Sequence, residues 1–372
     1  MHIDMQLMPP SKQLIKNMQN EIRNKYIELK YRISSYFSKN TYQKYIALYD
    51  TWPDINNAEK ECLFRFKKAC EKINVGFFTI TNDGIINNKC PLKNIHINNI
   101  PRNKLSCIIS LHFSSPKNTK HYTLMALWNP IAFHKNKNDI YNVCLSDGFI
   151  SCHSDKVDNY FTSIRKKPII GYLNHSLSDP ILELSINSSL KCFYIGINWE
   201  KCNSSLTPER KNILNILNKL ENLNLLSIYG PKIFQGVEVW KGYKSYKCEI
   251  PFDGISVIHE IRRCGICLVF SSDSHINSQI CSMRLFEGLA AGVPLICDNH
   301  PFIQKWFGDN VFYVNKGDNN CVDEIVKYIG YIKNNPDIIL KKMENCRKIF
   351  LDNFLLDNQL SILLTQIDNY RK

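Results

Sequence analysis

No run in the 372-residue sequence approaches the ~20 apolar residues that a helix needs to cross a bilayer. Residues 1–10 lack the basic-then-apolar layout of a secretion signal. The fifteen cysteines are scattered and odd in number. Without that signal they are expected to be reduced thiols in a cytosol. A zinc site would need a second cysteine pair beside Cys264-x-x-Cys267, and none stands at suitable spacing. That lone pair reads as a helix end running into a buried strand. The net charge is +13, but the basic residues are spread along the chain, so charge singles out no partner among anionic ligands, membranes and nucleic acids. No RNA-binding motif is present, and no nucleic-acid partner is expected.

What is present begins with length. A chain of 372 residues, 44% hydrophobic, exceeds one ordinary core and suits two domains. Residues 12–36 read as an amphipathic helix, with Ile15, Met18, Ile22, Tyr26, Leu29 and Ile33 at spacings of three or four and basic residues mostly off that stripe. Two readings stand for it: packing on the first domain, or contact with an anionic membrane or another copy. From Tyr45 the chain takes a strand–helix–strand rhythm, 45–49, 58–72 and 75–80, as in a doubly wound fold. Residues 82–104 are polar and Asn-rich and read as connections. Strand-like runs follow at 105–113, 121–128, 148–152 and 168–173. His112, His134 and His153 lie at or just past three of these strand ends. Histidine is the usual side chain for proton transfer near neutral pH, so these three are the candidate catalytic residues. His134 ranks first, because it follows the sharp Trp128-Asn129-Pro130 loop near the expected switch point.

Residues 176–189 read as an interdomain connection. A strand then ends in Gly196-Ile197-Asn198, where glycine brings backbone close to a ligand. A helix over 208–220 carries Arg210 and Lys211 in its first turn. A strand ends at Tyr229, followed by Gly230-Pro231. Ile250-Pro251-Phe252-Asp253-Gly254 leads into another helix. Ile266 to Phe270 is strand-like, and a polar loop follows to Gln279. Then comes Ser282-Met283-Arg284-Leu285-Phe286-Glu287-Gly288-Leu289-Ala290-Ala291-Gly292-Val293-Pro294, a helix stopped by Gly292 and Pro294. Its first N–H groups are open to a phosphate, and Arg284 adds a guanidinium fork. Glu287 is placed to accept from vicinal hydroxyls, as an acidic residue does for a ribose.

That segment, with Asp298-Asn299-His300-Pro301-Phe302 after it, resembles the donor-binding segment of GT-B glycosyltransferases of the "group 1", family-4-related set. The pattern's other Glu, eight residues earlier, is Gln279 here. The resemblance implies two Rossmann-like α/β domains facing across a cleft. The expected parts are an N-terminal helical extension (1–44), an acceptor domain (45–178), a nucleotide-sugar-binding domain (189–350) and a C-terminal helix returning to the first domain (351–372). It implies transfer of a sugar, with retention, from a nucleotide-sugar donor to a hydroxyl of a glycan, glycolipid or related acceptor. The donor site would comprise Gly196, Asn198, Arg210, Tyr229, Gly230, Pro231, Ile250, Pro251, Phe252, Ser282, Met283, Arg284 and Glu287, with the base beside residues 250–252. Arg210 is equally a solvated helix charge. No Asp-x-Asp occurs, the pair with which the other common glycosyltransferase fold holds a metal. Helix amides and basic side chains would neutralise the diphosphate, and neither metal nor other cofactor is expected. The expected location is cytoplasmic, with peripheral attachment to a membrane if the N-terminal helix serves that purpose. The alternatives are a same-fold nucleotide-sugar enzyme such as an epimerase, or a non-enzymatic basic protein binding nucleic acid or lipid.

Overall fold

The computed structural model of the protein describes residues 12–55, 57–134, 136–202 and 208–371. The first eleven residues of the expected extension lie outside them. Two α/β units follow the N-terminal helix α1 (Lys12–Lys39), each built on a six-stranded parallel sheet.

The first unit runs β1 (Tyr45–Tyr49), α2 (Ala58–Lys72), β2 (Gly76–Ile80), β3 (Leu105–Ser110), β4 (Thr123–Ala126), α3 (Lys137–Leu145), β5 (Gly148–Ser151), α4 (Asp155–Ile164) and β6 (Ile169–Tyr172). Its strand order is β2-β1-β3-β4-β5-β6, so chain direction reverses across the sheet between β1 and β3. Every residue of β1, β3, β4 and β5 is buried, as a parallel sheet covered on both faces requires. Side chains start the helices. Asn57 accepts from the Glu59 N–H at 3.0 Å to open α2, Asn136 and Asp139 form a capping box on α3, and Ser154 caps α4.

The second unit runs β7 (Lys191–Ile195), α5 (Trp199–Cys202), α6 (Pro208–Asn222), β8 (Leu226–Tyr229), a small hairpin of β9 (Ile233–Phe234) and β10 (Val237–Glu238), β11 (Tyr246–Cys248), α7 (Ser256–Cys264), β12 (Gly265–Val269), α8 (Asp273–Asn277), α9 (Met283–Ala291), β13 (Leu295–Asp298), α10 (Pro301–Phe307), β14 (Phe312–Val314), α11 (Cys321–Asn334) and α12 (Pro336–Asn353). Its sheet order, β11-β8-β7-β12-β13-β14, is that of a dinucleotide-binding fold, with the switch point between β7 and β12. A last helix, α13 (Leu356–Tyr370), crosses back. Its Leu356, Leu360, Leu363 and Ile367 join the core of the first unit beside Ile46 and Leu48, and Arg371 donates to the Ser106 carbonyl at 2.8 Å.

Three stretches depart from the sequence reading. Residues 82–104 are polar in composition yet bury Ile86, Leu92, Ile95, Ile97 and Ile100 against Tyr45 and Phe78. The loop after β12 contains the short helix α8. And α1 divides: Ile33 is buried and Leu29, Tyr36 and Phe37 pack on the first unit, while Ile15, Met18, Ile22 and Tyr26 face solvent.

Candidate active site

The carboxyl ends of both sheets line the space between the units. In the second unit, Gly230 (φ +139) lets two backbones meet: a Cβ there would fall 2.1 Å from the Gly196 carbonyl oxygen. That carbonyl accepts from Trp240 Nε1 at 3.2 Å, and the Tyr246 hydroxyl donates to the Gly230 carbonyl at 3.2 Å. The ends of β7 and β8 are thus stitched together. At the switch point beside them lies an open cavity of about 230 Å³, lined by Gly196, Ile197, Trp240, Ser271 and Ser272 among others. The β12 end is fixed by Asp298, which accepts from the Ser271 N–H at 2.5 Å, and by the buried Lys316, which bonds the Ser271 carbonyl and stands 3.3 Å from Asp298.

The donor-site residues expected from the sequence occupy this rim unevenly. Asn198 is buried, with an Oδ1 that has no hydrogen-bond partner. Arg210 lies in the first turn of α6, but its side chain is outside what is described. Tyr229 turns inward. Its ring stacks on Phe193 at 4.9 Å and its hydroxyl donates to Glu260 at 2.8 Å. Pro231 is half-buried, Ile250 is buried, and Pro251 and Phe252 are exposed. Their loop touches the first unit, because Gly254 (φ +81) lies against Phe64 and Arg65 of α2.

Helix α9 is the centre of the arrangement. Its N-cap Ser282 makes no capping bond, and the Ser282 Oγ is buried without a partner. The helix therefore opens with its first N–H groups uncapped by that hydroxyl. Arg284 lies over the Phe193 ring at 5.4 Å and donates to Glu287 Oε2 at 2.7 Å. The other Glu287 oxygen accepts from Arg65 of the first unit, also at 2.7 Å. Arg65 further donates to Glu61 at 2.8 Å, and Met283 Sδ lies 3.8 Å from Arg65 Nη1. Glu287, Arg65 and Glu61 are all buried. Burial opposes charge on Glu287, yet Arg284 and Arg65 hold its carboxyl below the usual range. Burial pushes Glu61 up, against the pull of Arg65. One more donor, Arg65 Nε, and one more acceptor, Glu61 Oε2, are buried and unmatched. The side chain of Glu287 is only 2% exposed, so no ligand reaches it while Arg65 is in place.

The candidate histidines separate. His112 sits at the switch point of the first sheet, after β3, with its ring 4.6 Å from that of Trp52, just past the β1 end. The Ser114 N–H donates to its Nδ1 at 3.1 Å, which leaves the ring proton of the neutral form on Nε2. Burial, and then the charge of His134, lower its pKa to about 4. His134 follows β4, one strand away from the switch point. Its ring is enclosed by Phe113 and Phe161 at 4.8 and 4.9 Å, and its Nδ1 bonds the Pro130 carbonyl at 3.2 Å. The reason for ranking it first does not hold in this topology. His153 (φ +64) bonds Asn174 Oδ1 at 2.7 Å through Nδ1 and lies among Tyr172, Trp306 and Phe354, part of the contact between the units.

Sequence reasoning missed Arg65 and Glu61. A signal existed: both lie on the apolar face of α2, beside Cys62, Phe66 and Ala69, and a charged pair there is unusual unless it has partners. It also passed over His175, whose ring packs on Trp128 at 3.7 Å. Burial, with His275 and Arg65 nearby, lowers the His175 pKa to about 3. Among the described residues, no three His, Cys, Asp or Glu side chains gather as a metal-ligand set.

Residues 210–365 match the family described as glycosyl transferase-like. No curated protein matches the chain by sequence. Among solved structures, the fold is similar to sucrose-phosphate synthase from Thermosynechococcus elongatus (TM-score 0.56, 11% identity, 88% of this chain and 98% of that one). It is similar to Anabaena HepE in complex with UDP-glucose (0.55, 9%, 88% and 99%). It is also similar to an alpha-glucosyltransferase in complex with UDP and a 13-mer DNA containing an HMU base (0.59, 8%, 87% and 99%). The family match thus lies in the second unit and α13, and the fold across both units is that of GT-B glycosyltransferases.

Proposed function

We propose that the protein transfers a sugar from a nucleotide-sugar donor, with retention and without a metal, to a hydroxyl of a glycan, glycolipid or related acceptor. The observation that carries the donor half is the mouth of α9, where an N-cap hydroxyl without a partner stands one turn before a buried carboxylate held by two arginines. The diphosphate takes the α9 amides and Arg284. The base lies along residues 250–252, with Gly196, Asn198 and Gly230 offering backbone at the strand ends. Ribose hydroxyls take the place of Arg65 on Glu287, which requires α2 to part from the second unit. UDP and UDP-glucose in the similar structures support a donor of this class.

In the transfer, the bond between the anomeric carbon and the acceptor oxygen forms as the bond to the diphosphate breaks, and the acceptor proton passes to the leaving phosphate. His112 then serves as a hydrogen-bond donor that orients the acceptor, because its Nδ1 is engaged and its pKa is low. His134 and His153 hold loops.

Calorimetric titration with UDP in excess EDTA tests the donor site. The wild type binds under these conditions. Glu287→Ala weakens binding, by less than the ~1.5–3 kcal/mol of a hydrogen bond to a charged group, because the ribose there replaces the Arg65 contact. An unchanged Kd for Glu287→Ala removes the assignment, and binding that needs added Mg²⁺ removes the metal-free reading.

A further inference from the structure

Helix α1 carries one apolar stripe with two fates. At its C-terminal end the stripe is a packing surface: Ile33 is buried, and Leu29, Tyr36 and Phe37 lie against the first unit. Arg32 anchors this end by donating to the Pro91 and Lys93 carbonyls at 2.6 and 3.2 Å. Toward the N-terminus the same line of the helix runs past the edge of the unit. Ile15, Met18, Ile22 and Tyr26 are 41%, 53%, 66% and 54% exposed. An apolar stripe this long on a helix that has left its own domain calls for an outside partner.

The charges say which partner. Between residues 14 and 39 the helix has six basic and two acidic side chains. At about 100° per residue, Lys16, Arg23 and Lys30 fall along one shoulder of the stripe, and Lys25 and Arg32 fall along the other. Glu21 and Glu28 lie just beyond Lys25 and Arg32 on that second shoulder, where Glu21 pairs with Lys25 at 2.7 Å and Arg32 is held by the Pro91 and Lys93 carbonyls. One continuous basic shoulder beside the apolar stripe, over a span with four more basic than acidic side chains, suits a helix lying in a negatively charged lipid interface. There the stripe enters the acyl boundary while the long basic side chains reach the headgroups.

We infer that the exposed length of α1 docks on an anionic membrane surface and holds the enzyme there. Vesicle binding reads this without turnover, so the result is independent of the donor and acceptor assignments.

The test is co-sedimentation of the full chain with phosphatidylcholine vesicles, with and without phosphatidylglycerol, at low and high salt. The chain sediments with the phosphatidylglycerol vesicles at low salt, little with phosphatidylcholine alone, and less as salt rises. Arg23→Gln/Lys30→Gln weakens binding about 25-fold, at about fivefold, or ~1 kcal/mol, per surface basic residue. Ile22→Asp, at an exposed position remote from the packed end, weakens it as well. The inference is overturned if the wild type does not bind, if both vesicle types bind it equally, or if Ile22→Asp binds as the wild type does. It is equally overturned if light scattering shows a dimer that Ile22→Asp dissolves.

Discussion

At the scale of single residues, the Arg65–Glu287 contact governs how the donor site is understood. A buried ion pair recovers its desolvation cost only through good geometry and further hydrogen bonds. Glu287 has both, with one arginine on each oxygen. A ribose that binds Glu287 must therefore replace an interaction already made, and affinity is the difference between the two. Removing Arg65 alone would leave Glu61 buried without its partner, so the informative variant is Glu61→Gln/Arg65→Met. It should bind UDP more tightly than the wild type by ~1.5 kcal/mol or more, the value of one charge-assisted hydrogen bond. Weaker binding, measured by the same titration, would instead make Arg65 part of the donor site. His112 teaches the same lesson. Its position past a strand end was legible in the sequence, but its tautomer depends on the Ser114 N–H, which no pattern of residue types reveals.

At the scale of elements, local pattern carried far. The span of α2 was readable to the residue, since Asn57 caps it and apolar positions recur along it. The strands were readable because those of parallel sheets are near-continuous apolar runs. The helix α9 was readable from its stripe and its terminating glycine. By contrast α3 and α4 were not read, because nine- and ten-residue helices with scattered polar residues give too few turns for a period to show. The burial of residues 82–104 was hidden too, since its isoleucines are spaced by asparagines and only tertiary packing collects them. The end of α9 shows what a glycine signal can mean. Gly292 has φ +65, and a Cβ there would fall 2.6 Å from the Glu183 carbonyl oxygen. The linker docks at this point, with the Ser185 N–H donating to the Gly292 carbonyl at 3.0 Å and Arg262 Nη1 donating to the same carbonyl at 2.9 Å. Gly292→Ala should lower stability by ~1–3 kcal/mol in urea unfolding, from left-handed strain and the displaced linker. A midpoint unchanged from the wild type would mean that the linker yields at no cost.

For the whole molecule, two sheets with opposed rims give a cleft, and histidines beside it and elsewhere in the fold are kept neutral by burial. His112, His121, His275 and His300 are lowered to about 4 and His175 to about 3, in each case chiefly by burial. His134 and His153 are lowered as well. An unfolded imidazole takes its proton near pH ~6.5, so below that value the unfolded chain binds protons that the folded chain refuses. Their contribution to stability is complete above pH ~6.5 and is lost as pH falls toward the folded values. Four carboxyls work in the opposite sense: burial raises Glu59, Glu61 and Asp298, and pushes Asp158 up to about 6, whereas Glu287, held low by its two arginines, acts with the histidines. Seven lowered histidines against four raised carboxyls set the sign. Thermal melts should give a Tm that is flat from pH 8 to 7 and falls steadily between roughly pH 6.5 and 4.5. UDP present in excess should not remove the fall, since the seven histidines are buried by the fold rather than by the donor. A Tm that holds level down to pH 5 would show that these rings reach water, through a cleft more open than the Arg65–Glu287 contact allows.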